Sequence, residues 1–378
     1  MAIEIVPITH ENLDLAAKAG EKFGMPRSVG WFERCMFDPT VKDLVDDDVR
    51  GHVAVQDGKD AVAIQGYYYM PGYFKQKKIL INTGCIMGAE AKFGEELICC
   101  FDANHETRIR GQCSAANCLA NARSAKLSMV CSRMKEGPLL TRDRRFAVVD
   151  VTGYVICFLR YVMKMPSWLV NSVWHLLRPV SWVCARVQAL LRPRFGYSIR
   201  KCMSFRDEKY AEFWEKFLVQ NDGLITSRSP ERMAWLFDES IKAGMVTLIV
   251  AEKDNKMCGY VLLRKLPHYF DWVTIDCGIC DICALNGDAE CLKALAFASI
   301  SAASRMGAFR VCMHGAALPR QEEWLNVAFC HRRVDDHPVF LYKTKDAEVE
   351  NSLQDGKGWF FGPMDGEACL GSGGYIDL

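Results

Sequence analysis

The chain has 378 residues, of which 50% are apolar and 25% charged. This composition is typical of a globular protein and excludes a disordered one, and the length predicts two domains rather than a single core. The formal net charge of +1 gives no argument for binding nucleic acid, so we expect no such partner. Residues 1–13 lack a basic stretch followed by an apolar core, which predicts a cytoplasmic protein without a secretion signal.

The first half of the chain alternates short apolar strands with amphipathic helices. The turn sequence Asp57-Gly58-Lys59 between two β-rich runs predicts a hairpin. The predicted elements are a strand Ile3–Ile8, helices Asn12–Phe23 and Ser28–Phe37, hairpin strands His52–Gln56 and Asp60–Tyr69, a strand Lys78–Met87, and helices from about Glu95 to Glu106 and from Asn117 to Lys126. This order predicts a mixed sheet covered by helices over residues 1–150.

Residues 151–205 form a basic connector that contains eight Lys or Arg and no Asp or Glu. The remainder of the chain has 39 basic and 46 acidic residues, a formal charge of −7. The connector also contains Trp168, Trp174 and Trp182, but its uninterrupted apolar runs are shorter than the ~20 residues of a membrane span. Two interpretations stay open. The connector is either an amphipathic helix lying peripherally on the anionic inner face of a membrane or a helical pair packed against both domains.

The second half of the chain repeats the plan of strands and helices. Ser229 and Pro230 suit the cap and the first turn of a helix. The predicted elements that follow are hairpin strands Val246–Glu252 and Gly259–Arg264, a strand Trp272–Leu285, a helix Ala289–Arg305, and strands Phe309–His314 and Val339–Lys343. They predict a second domain over residues 206–350, followed by a tail over 351–378 that packs on it.

An ordered series of residues in this half carries a family resemblance: Arg228 with Trp235, Asp281 in the middle of a strand, and Trp359 with Asp365 and Glu367. The series resembles the GCN5-related N-acetyltransferase superfamily, and within it the tandem-domain acyltransferase-like proteins of bacterial surface-polysaccharide pathways. The chain departs from the pattern at Leu236, where the family has Arg, and at Pro363-Met364. The resemblance implies an α/β fold with mixed sheets, in which two tandem acetyltransferase-like domains are joined by the helical connector.

The resemblance also implies an acyl-CoA co-substrate, expected to be acetyl-CoA, and no metal. In the family, backbone N–H groups of a glycine-containing turn hold the pyrophosphate of coenzyme A at a helix start. The turn Ala91–Glu96 provides Gly94, and the residues expected to contact coenzyme A are Met87, Lys92, Phe93, Gly94 and Asn117. A second match at Arg108–Cys113 stays open. The corresponding turn of the second domain, Leu285–Ala289, offers one glycine and an acid, so the first domain is the preferred binding unit.

Acyl transfer to an amine requires a neutral attacking nitrogen and therefore a group that accepts its proton. The candidates are Glu90 at the end of the first domain's strand, Asp281 within the second domain's strand Trp272–Leu285, and His314 at the end of a later strand. Each has a structural alternative. Asp281 could be a buried carboxylate satisfied by its neighbours, and His314 a histidine at a strand end with one satisfied nitrogen.

Eighteen cysteines invite a disulfide or metal interpretation, but most lie in apolar runs, where Cys behaves as a small buried side chain. Cys277, Cys280 and Cys283 have a spacing at which an iron–sulfur cluster is conceivable. Along a strand, residues three apart point to opposite faces, so these thiols would diverge. The sequence therefore predicts buried thiols without a metal site.

The resemblance implies an N-acetyltransferase that acts on an amine of a sugar or another small metabolite. The polysaccharide context of the substrate comes from the resemblance alone. Two alternatives remain. One is transfer of an aminoacyl group from tRNA to a lipid-linked peptide precursor, and the other is a non-catalytic binding or scaffold protein.

Overall fold

A computed structural model describes residues 2–25, 27–45, 48–100, 113–118, 135–136, 143–190, 195–266, 276–315, 323, 331–334, 339–354 and 359–360. Residues 108–112 of the second candidate turn lie outside this range, as do Asp365 and Glu367.

The described residues form sixteen strands. They are β1 (Ile3–Pro7), β2 (Gly51–Gln56), β3 (Asp60–Phe74), β4 (Lys77–Ala89), β5 (Cys113–Cys118), β6 (Lys135–Glu136), β7 (Asp143–Val148), β8 (Ser198–Cys202), β9 (Leu224–Thr226), β10 (Val246–Lys253), β11 (Lys256–Leu266), β12 (Asp276–Ala284), β13 (Arg310–Gly315), β14 (His331–Val334), β15 (Val339–Thr344) and β16 (Trp359–Phe360).

The helices follow the same chain-order numbering. They are α1 (Leu13–Lys22), α2 (Val29–Met36), α3 (described over 94–100), α4 (Val151–Cys157), α5 (Ser167–Leu190), α6 (Glu208–Val219), α7 (Pro230–Lys242), α8 (Ala289–Arg305) and α9 (Ala347–Gln354). A π-helical turn, Phe158–Val162, joins α4 to the loop before α5, and short 3-10 turns cover His10–Asn12, Pro39–Leu44 and Leu285–Gly287.

Chain contacts divide the protein into two units. Unit 1 comprises Met1–Thr141, Phe205–Ser240 and Asp336–Leu378, and unit 2 comprises Arg142–Ser204 and Ile241–Asp335. The units are thus interleaved along the chain, whereas the sequence analysis predicts contiguous domains over 1–150 and 206–350. The reason is strand pairing. β7 comes from the first half but pairs with β13 of unit 2, and β15 comes from the second half but pairs with β5 of unit 1.

The sheet of unit 1 has the order β1-β2-β3-β4-β5-β15-β6, with β9 paired to β3 and β16 paired to β9. The helices α1 and α2 of this unit bury apolar faces, including Leu13, Trp31 and Phe32. The N-cap Ser28 of α2 accepts a hydrogen bond of 3.1 Å from the backbone N–H of Trp31. This cap satisfies one of the free donors at the helix start.

The buried Arg228 holds the edge strands β9 and β16 together. Its guanidinium donates to the carbonyl and the hydroxyl oxygens of Thr226, at 3.0 and 3.1 Å, and lies 5.0 Å from the centroid of the Phe360 ring. Trp235 donates its indole N–H to the carbonyl oxygen of Arg34 at 3.1 Å. The residues of the family resemblance are therefore divided, because Arg228 and Trp235 belong to unit 1 and Asp281 belongs to unit 2.

The sheet of unit 2 has the order β14-β7-β13-β12-β11-β10-β8, and α8 packs against β10 to β13. The sequence predictions for the β10–β11 hairpin and for the α8 helix over 289–305 are confirmed. On this sheet α4 lies against Phe309, where Gly153 leaves no room for a side chain, because an added Cβ would stand 2.0 Å from Cγ of that ring.

The sequence predicts a helix that begins at Asn117, and this prediction is wrong. Asn117 lies on β5 and pairs with Phe340 of β15. The extended ladder with β15 outweighs the local helical pattern, which a single sequence cannot reveal. The helix α5 spans 24 residues. Within the parts of the chain that the structure describes, no helix is both long and apolar enough to cross a membrane.

Candidate functional site

Each sheet opens between its two central parallel strands. In unit 1, β4 and β5 pair only at Ile81 with Cys113 and at Asn82 with Ser114. Both strands then continue, and no further pairing between them occurs among the described residues. In unit 2, β12 and β13 pair from Asp276 with Arg310 as far as Ile279 with Met313.

The openings face the carboxyl ends of the strands, where open α/β sheets bind ligands. In unit 2 the closed end is fixed by an ion pair, in which Nε of Arg310 donates to Oδ2 of Asp276 at 2.7 Å. Beyond the last paired residues, the ladders between β4 and β5 and between β12 and β13 do not continue among the described residues.

A β-bulge lies beside each opening at a matching place. On β4, Cys85 is the extra residue, because Gly66 pairs with Ile86 and Tyr67 pairs with Gly84. On β12, Cys280 is the extra residue, because Leu262 pairs with Asp281 and Leu263 pairs with Ile279. Bulges bend a strand and redirect the backbone, and they occur frequently beside active sites. The two units therefore repeat one local design.

In unit 1 the helix after the opening begins at Gly94, which is exposed. A Cβ added at Gly94 would meet no atom within 4 Å. The preceding Phe93 has no side-chain oxygen to cap the helix. It is 9% exposed and packs in a core cluster with Val62 and Cys100, so it supports the turn from inside rather than facing a ligand. Lys92 is exposed, and its ammonium lies 4.7 Å from the centroid of the Phe93 ring.

Glu90 lies at the end of β4 in the same turn. Nζ of Lys22 is 2.7 Å from Oε1 of Glu90 and also donates to the carbonyl oxygen of Ala61 at 2.7 Å. The hydrogen bond from Lys22 holds the pKa of Glu90 below its ordinary value. Glu90 is therefore ionised at neutral pH. Its side chain is 34% exposed, so it remains accessible to a cationic group.

In unit 2 the corresponding helix start is occupied by the protein's own carboxylate. Asp288 is the N-cap of α8, and its Oδ1 accepts hydrogen bonds from the backbone N–H groups of Glu290 (2.9 Å) and Cys291 (3.2 Å). The hydroxyl of Tyr197 donates to its other oxygen. Burial acts to raise the pKa of Asp288, but these hydrogen bonds outweigh it and the pKa is lowered. An anion at this helix start would meet a negative charge.

Asp281 lies next to the bulge of β12 and has no exposed surface. Tyr260 donates a hydrogen bond of 2.5 Å to Oδ2 of Asp281, and Sγ of Cys283 lies 3.7 Å from the Tyr260 oxygen. The matching positions of unit 1 are both apolar, namely Ile64 and Ile86. The bulge of unit 2 thus carries a buried polar cluster that unit 1 lacks.

The other predicted site residues are placed as follows. Met87 is half-buried on β4 opposite Gln65. His314 pairs through its backbone with Arg144 of β7, beyond the point where β13 leaves β12. Unit 1 contains Met87, Glu90, Lys92, Phe93, Gly94 and Asn117, and unit 2 contains Asp281 and His314. Their catalytic and binding roles stay predictions.

The cysteine string Cys277, Cys280 and Cys283 lies on β12, and its thiols have different neighbours. Sγ of Cys277 is 3.7 Å from Sδ of Met306, whereas Cys283 lies beside Tyr260. Burial raises the pKa of the Cys277 thiol to about 12. Across the described residues, no group of three or more His, Cys, Asp and Glu side chains is placed to hold a metal ion.

Sequence reasoning missed several residues of these sites. Tyr260 and Lys22 are partners that only the sheet packing brings to Asp281 and Glu90, and the bulges at Cys85 and Cys280 have no local signature. The cap Asp288 had a signal, because an acid directly before a predicted helix is a typical N-cap.

Comparison with known proteins supports the fold. The sequence matches no protein-family model, and no curated protein matches it. Solved structures do match along most of the chain. A GCN5-related N-acetyltransferase from Anabaena variabilis has a TM-score of 0.54 at 8% identity, covering 93% of this chain and 75% of its own. A GCN5-related N-acetyltransferase from Kribbella flavida has a TM-score of 0.50 at 15% identity, covering 93% and 74%.

The N-myristoyltransferase of Saccharomyces cerevisiae, solved with bound myristoyl-CoA, has a TM-score of 0.54 at 12% identity and covers 91% of this chain and 79% of its own. At such low identities the likeness concerns the fold. The protein therefore has the fold of the GCN5-related N-acetyltransferases.

Proposed function

We propose that the protein transfers an acyl group from an acyl-CoA to an amine, and that unit 1 binds the acyl-CoA. The observation that carries the proposal is the uncapped, exposed helix start at Gly94, next to the opening between β4 and β5. Helix N-termini bind phosphate groups through free backbone N–H groups and the helix dipole. The yeast neighbour, solved with myristoyl-CoA, supports the same ligand class.

The charges around the turn support a phosphate contact at Lys92. Its side chain is 72% exposed and 3.8 Å from Glu90, so it can swing to an anion at low cost. Glu95 and Glu96 follow in the first helical turn and oppose an anion, so the affinity should depend on Lys92. In unit 2 the cap Asp288 already fills the equivalent position. This contrast favours unit 1 as the acyl-CoA unit.

In the proposed reaction, the nitrogen of the acceptor attacks the thioester carbonyl, the carbon–sulfur bond breaks, and coenzyme A leaves as a thiolate that takes up a proton. The low pKa of Glu90 makes it a weak base. Its accessible carboxylate is better suited to orienting a cationic amine before the proton is lost. Asp281 is fully buried in unit 2, where it accepts a hydrogen bond from Tyr260, which favours a structural role over proton transfer.

Acetyl-CoA is the proposed donor, and an amine of a sugar or another small metabolite is the proposed acceptor. The names of the acetyltransferase neighbours support the proposed donor, and the resemblance to surface-polysaccharide proteins supports the proposed acceptor. A second candidate function applies to unit 2. Its capped helix start favours a non-catalytic unit that binds a ligand or supports the fold.

The proposal is tested by calorimetric titration of the purified protein with acetyl-CoA, myristoyl-CoA and desulfo-CoA. We expect micromolar binding that the Gly94→Glu variant weakens about tenfold or more, since a carboxylate a few ångströms from the pyrophosphate repels it. Desulfo-CoA lacks the sulfur but keeps the pyrophosphate, so its affinity should fall by the same factor in the Gly94→Glu variant.

Gly196→Glu is the matched control. Gly196 also has open space around its Cβ and no left-handed backbone, but it lies in unit 2. This variant should bind acetyl-CoA as the wild type does. Absence of binding by all three ligands would overturn the proposal, and so would an equal loss in both variants.

A further inference from the structure

The helical segment of unit 2 has one side fixed to the sheet. Gly153 of α4 lies directly against the Phe309 ring, and the Trp174 ring of α5 meets the same ring edge-on at a centroid distance of 5.4 Å. Ile156 and Val170 are buried on this side, at 1% and 2% exposure. The segment is therefore a fixed part of unit 2, and its remaining surface has a defined orientation.

The opposite side of the segment exposes large apolar side chains. Nine of the fifteen such exposed side chains among the described residues lie between residues 155 and 187. They are Val155, Phe158, Val162, Met163, Trp168, Leu176, Val180, Val183 and Val187, with Trp168 70% and Leu176 77% exposed. Isolated exposed apolar residues are ordinary, but a concentrated patch indicates an interaction surface.

The spacing on α5 gathers this patch into one stripe. Leu176, Val180, Val183 and Val187 recur at intervals of four, three and four residues, which places them on one face of the helix. Together with Trp168, they occupy about 120° of its circumference at 3.6 residues per turn. We call these five residues the α5 stripe. Trp168 begins the stripe beside the loop that contains Met163 and Lys164, both exposed.

The charge around the stripe favours an anionic partner. Residues 151–205 carry eight basic residues and no acid, while the rest of the chain has a formal charge of −7. Lys164 is exposed in the loop before α5, and Arg160 is tied to Ser167 at the same loop. Long cationic side chains next to Trp and aliphatic groups suit the headgroup level of a bilayer. An apolar stripe that begins beside an exposed cation in the adjoining loop needs no shaped cavity in its partner.

We propose that the α5 stripe, with the loop at Met163 and Lys164, docks unit 2 in the plane of an anionic lipid bilayer. The helix lies on the membrane and does not cross it. The apolar residues enter the boundary between headgroups and acyl chains, and the basic residues contact anionic headgroups. This inference does not depend on acyl transfer.

The test is flotation of the full chain with two kinds of vesicle, one of phosphatidylcholine alone and one in which about a third of the lipid is phosphatidylglycerol. We expect binding to the anionic vesicles only, and weaker binding as salt is raised. Leu176→Glu and Val183→Glu should each reduce binding about tenfold or more, because each removes an inserted apolar group and adds repulsion. Both residues are exposed, so neither change disturbs the core.

Val219→Glu is the matched control, because Val219 is an apolar residue of similar exposure, 62%, in unit 1. It should bind vesicles as the wild type does. Subtracting the emission spectrum of Trp168→Phe from that of the wild type isolates the emission of Trp168. This difference spectrum should shift to shorter wavelength when anionic vesicles are added. Acetyl-CoA titration of Leu176→Glu reports separately on the proposed function.

Three outcomes would overturn the proposal. One is absence of vesicle binding, and another is binding that the stripe variants and the control reduce equally. The third is that the protein binds no vesicles but forms a concentration-dependent dimer, and that Leu176→Glu abolishes this dimer. That result would assign the stripe to contact with a second copy of the chain.

Discussion

The hydroxyl of Tyr260 donates a hydrogen bond of 2.5 Å to Oδ2 of Asp281, and both residues have no exposed surface. The pair joins β11 to β12 beside the bulge at Cys280. Since the matching residues of unit 1 are Ile64 and Ile86, the two sheets share a local backbone design and differ in the polarity of the side chains beside the bulge.

Tyr260→Phe should destabilise unit 2. The variant leaves the buried carboxyl of Asp281 without the hydroxyl that contacts it, which costs about 1–3 kcal/mol of unfolding free energy. Urea titration followed by far-UV circular dichroism measures this loss. Tyr210→Phe is the comparison, because Tyr210 donates to a neutral backbone carbonyl at 2.9 Å and its loss should cost about 0.5–1.5 kcal/mol. Equal costs for the two variants would contradict a special role for the carboxyl.

Arg232 and Asp38 form a buried ion pair in unit 1, with Nε and Oδ2 3.0 Å apart and both side chains 3% exposed. Asp38→Ala should lower the unfolding free energy by about 3–5 kcal/mol, because it leaves the buried guanidinium of Arg232 without its carboxylate partner. The exposed pair Lys75 with Glu348 is the control, and Glu348→Ala should cost at most about 1 kcal/mol. Urea titration of both variants measures the two losses of unfolding free energy. A small loss for Asp38→Ala would mean that water reaches Arg232.

Local pattern predicted most elements of the fold. The helix over Ala289–Arg305 begins at an Asp cap and ends before Gly307, and the structure gives it these bounds. The hairpin turn at Asp254 and Asn255 has left-handed backbone at both residues, as a tight turn between strands requires. Each of these features depends on neighbours within a few residues, so a sequence can reveal it.

The exchange of strands between the units could not be predicted in this way. β7 and β15 are ordinary apolar strands, and nothing local tells which sheet edge each will join. Their pairing depends on the register and burial of distant strands. The same limit explains the strand at Asn117 and the unforeseen partners Lys22 and Tyr260, because these contacts join residues far apart in the chain.

Gly153→Ala should disturb the attachment of α4 to the sheet of unit 2. The new methyl group would stand 2.0 Å from Cγ of Phe309, and overpacking of this kind costs about 1–3 kcal/mol. Gly94→Ala has open space and should be neutral in the same urea titration. The double variant Gly153→Ala with Phe309→Leu should recover part of the loss, since the smaller side chain makes room. Additive losses in the double variant would show that the contact is not the cause.

Buried thiols should resist alkylation until the protein unfolds. Burial raises the pKa of Cys100 and of Cys277 to about 12, whereas Cys99 is exposed. Native protein treated with iodoacetamide should therefore be labelled at Cys99 well before Cys100 and Cys277, as peptide mass mapping would show. Labelling of the three at similar rates would contradict the burial.

The same shifts affect stability at high pH. The thiols ionise near pH 9 in the unfolded chain and only near 12 in the fold, so their contribution is complete below pH 9. It is lost as the pH rises from about 9 to about 12. Cys100→Ala should therefore show a smaller fall of the urea midpoint over that range than the wild type. An equal fall would assign the alkaline loss to other groups.

Asp288→Ala should weaken the start of α8, because it removes the acceptor of two backbone N–H groups and of the Tyr197 hydroxyl, at a cost of about 0.5–2 kcal/mol near pH 7. The lowered pKa of Asp288 means that its carboxylate contributes stability above the unfolded value near 3.8 and loses it as the pH falls through the lower folded value. The difference between wild type and variant in urea titrations should thus be constant near neutral pH and shrink toward pH 3. A difference that stayed constant to that pH would mean that the hydroxyl and amide contacts of Asp288 persist in its protonated form, and that its charge does not stabilise the helix start.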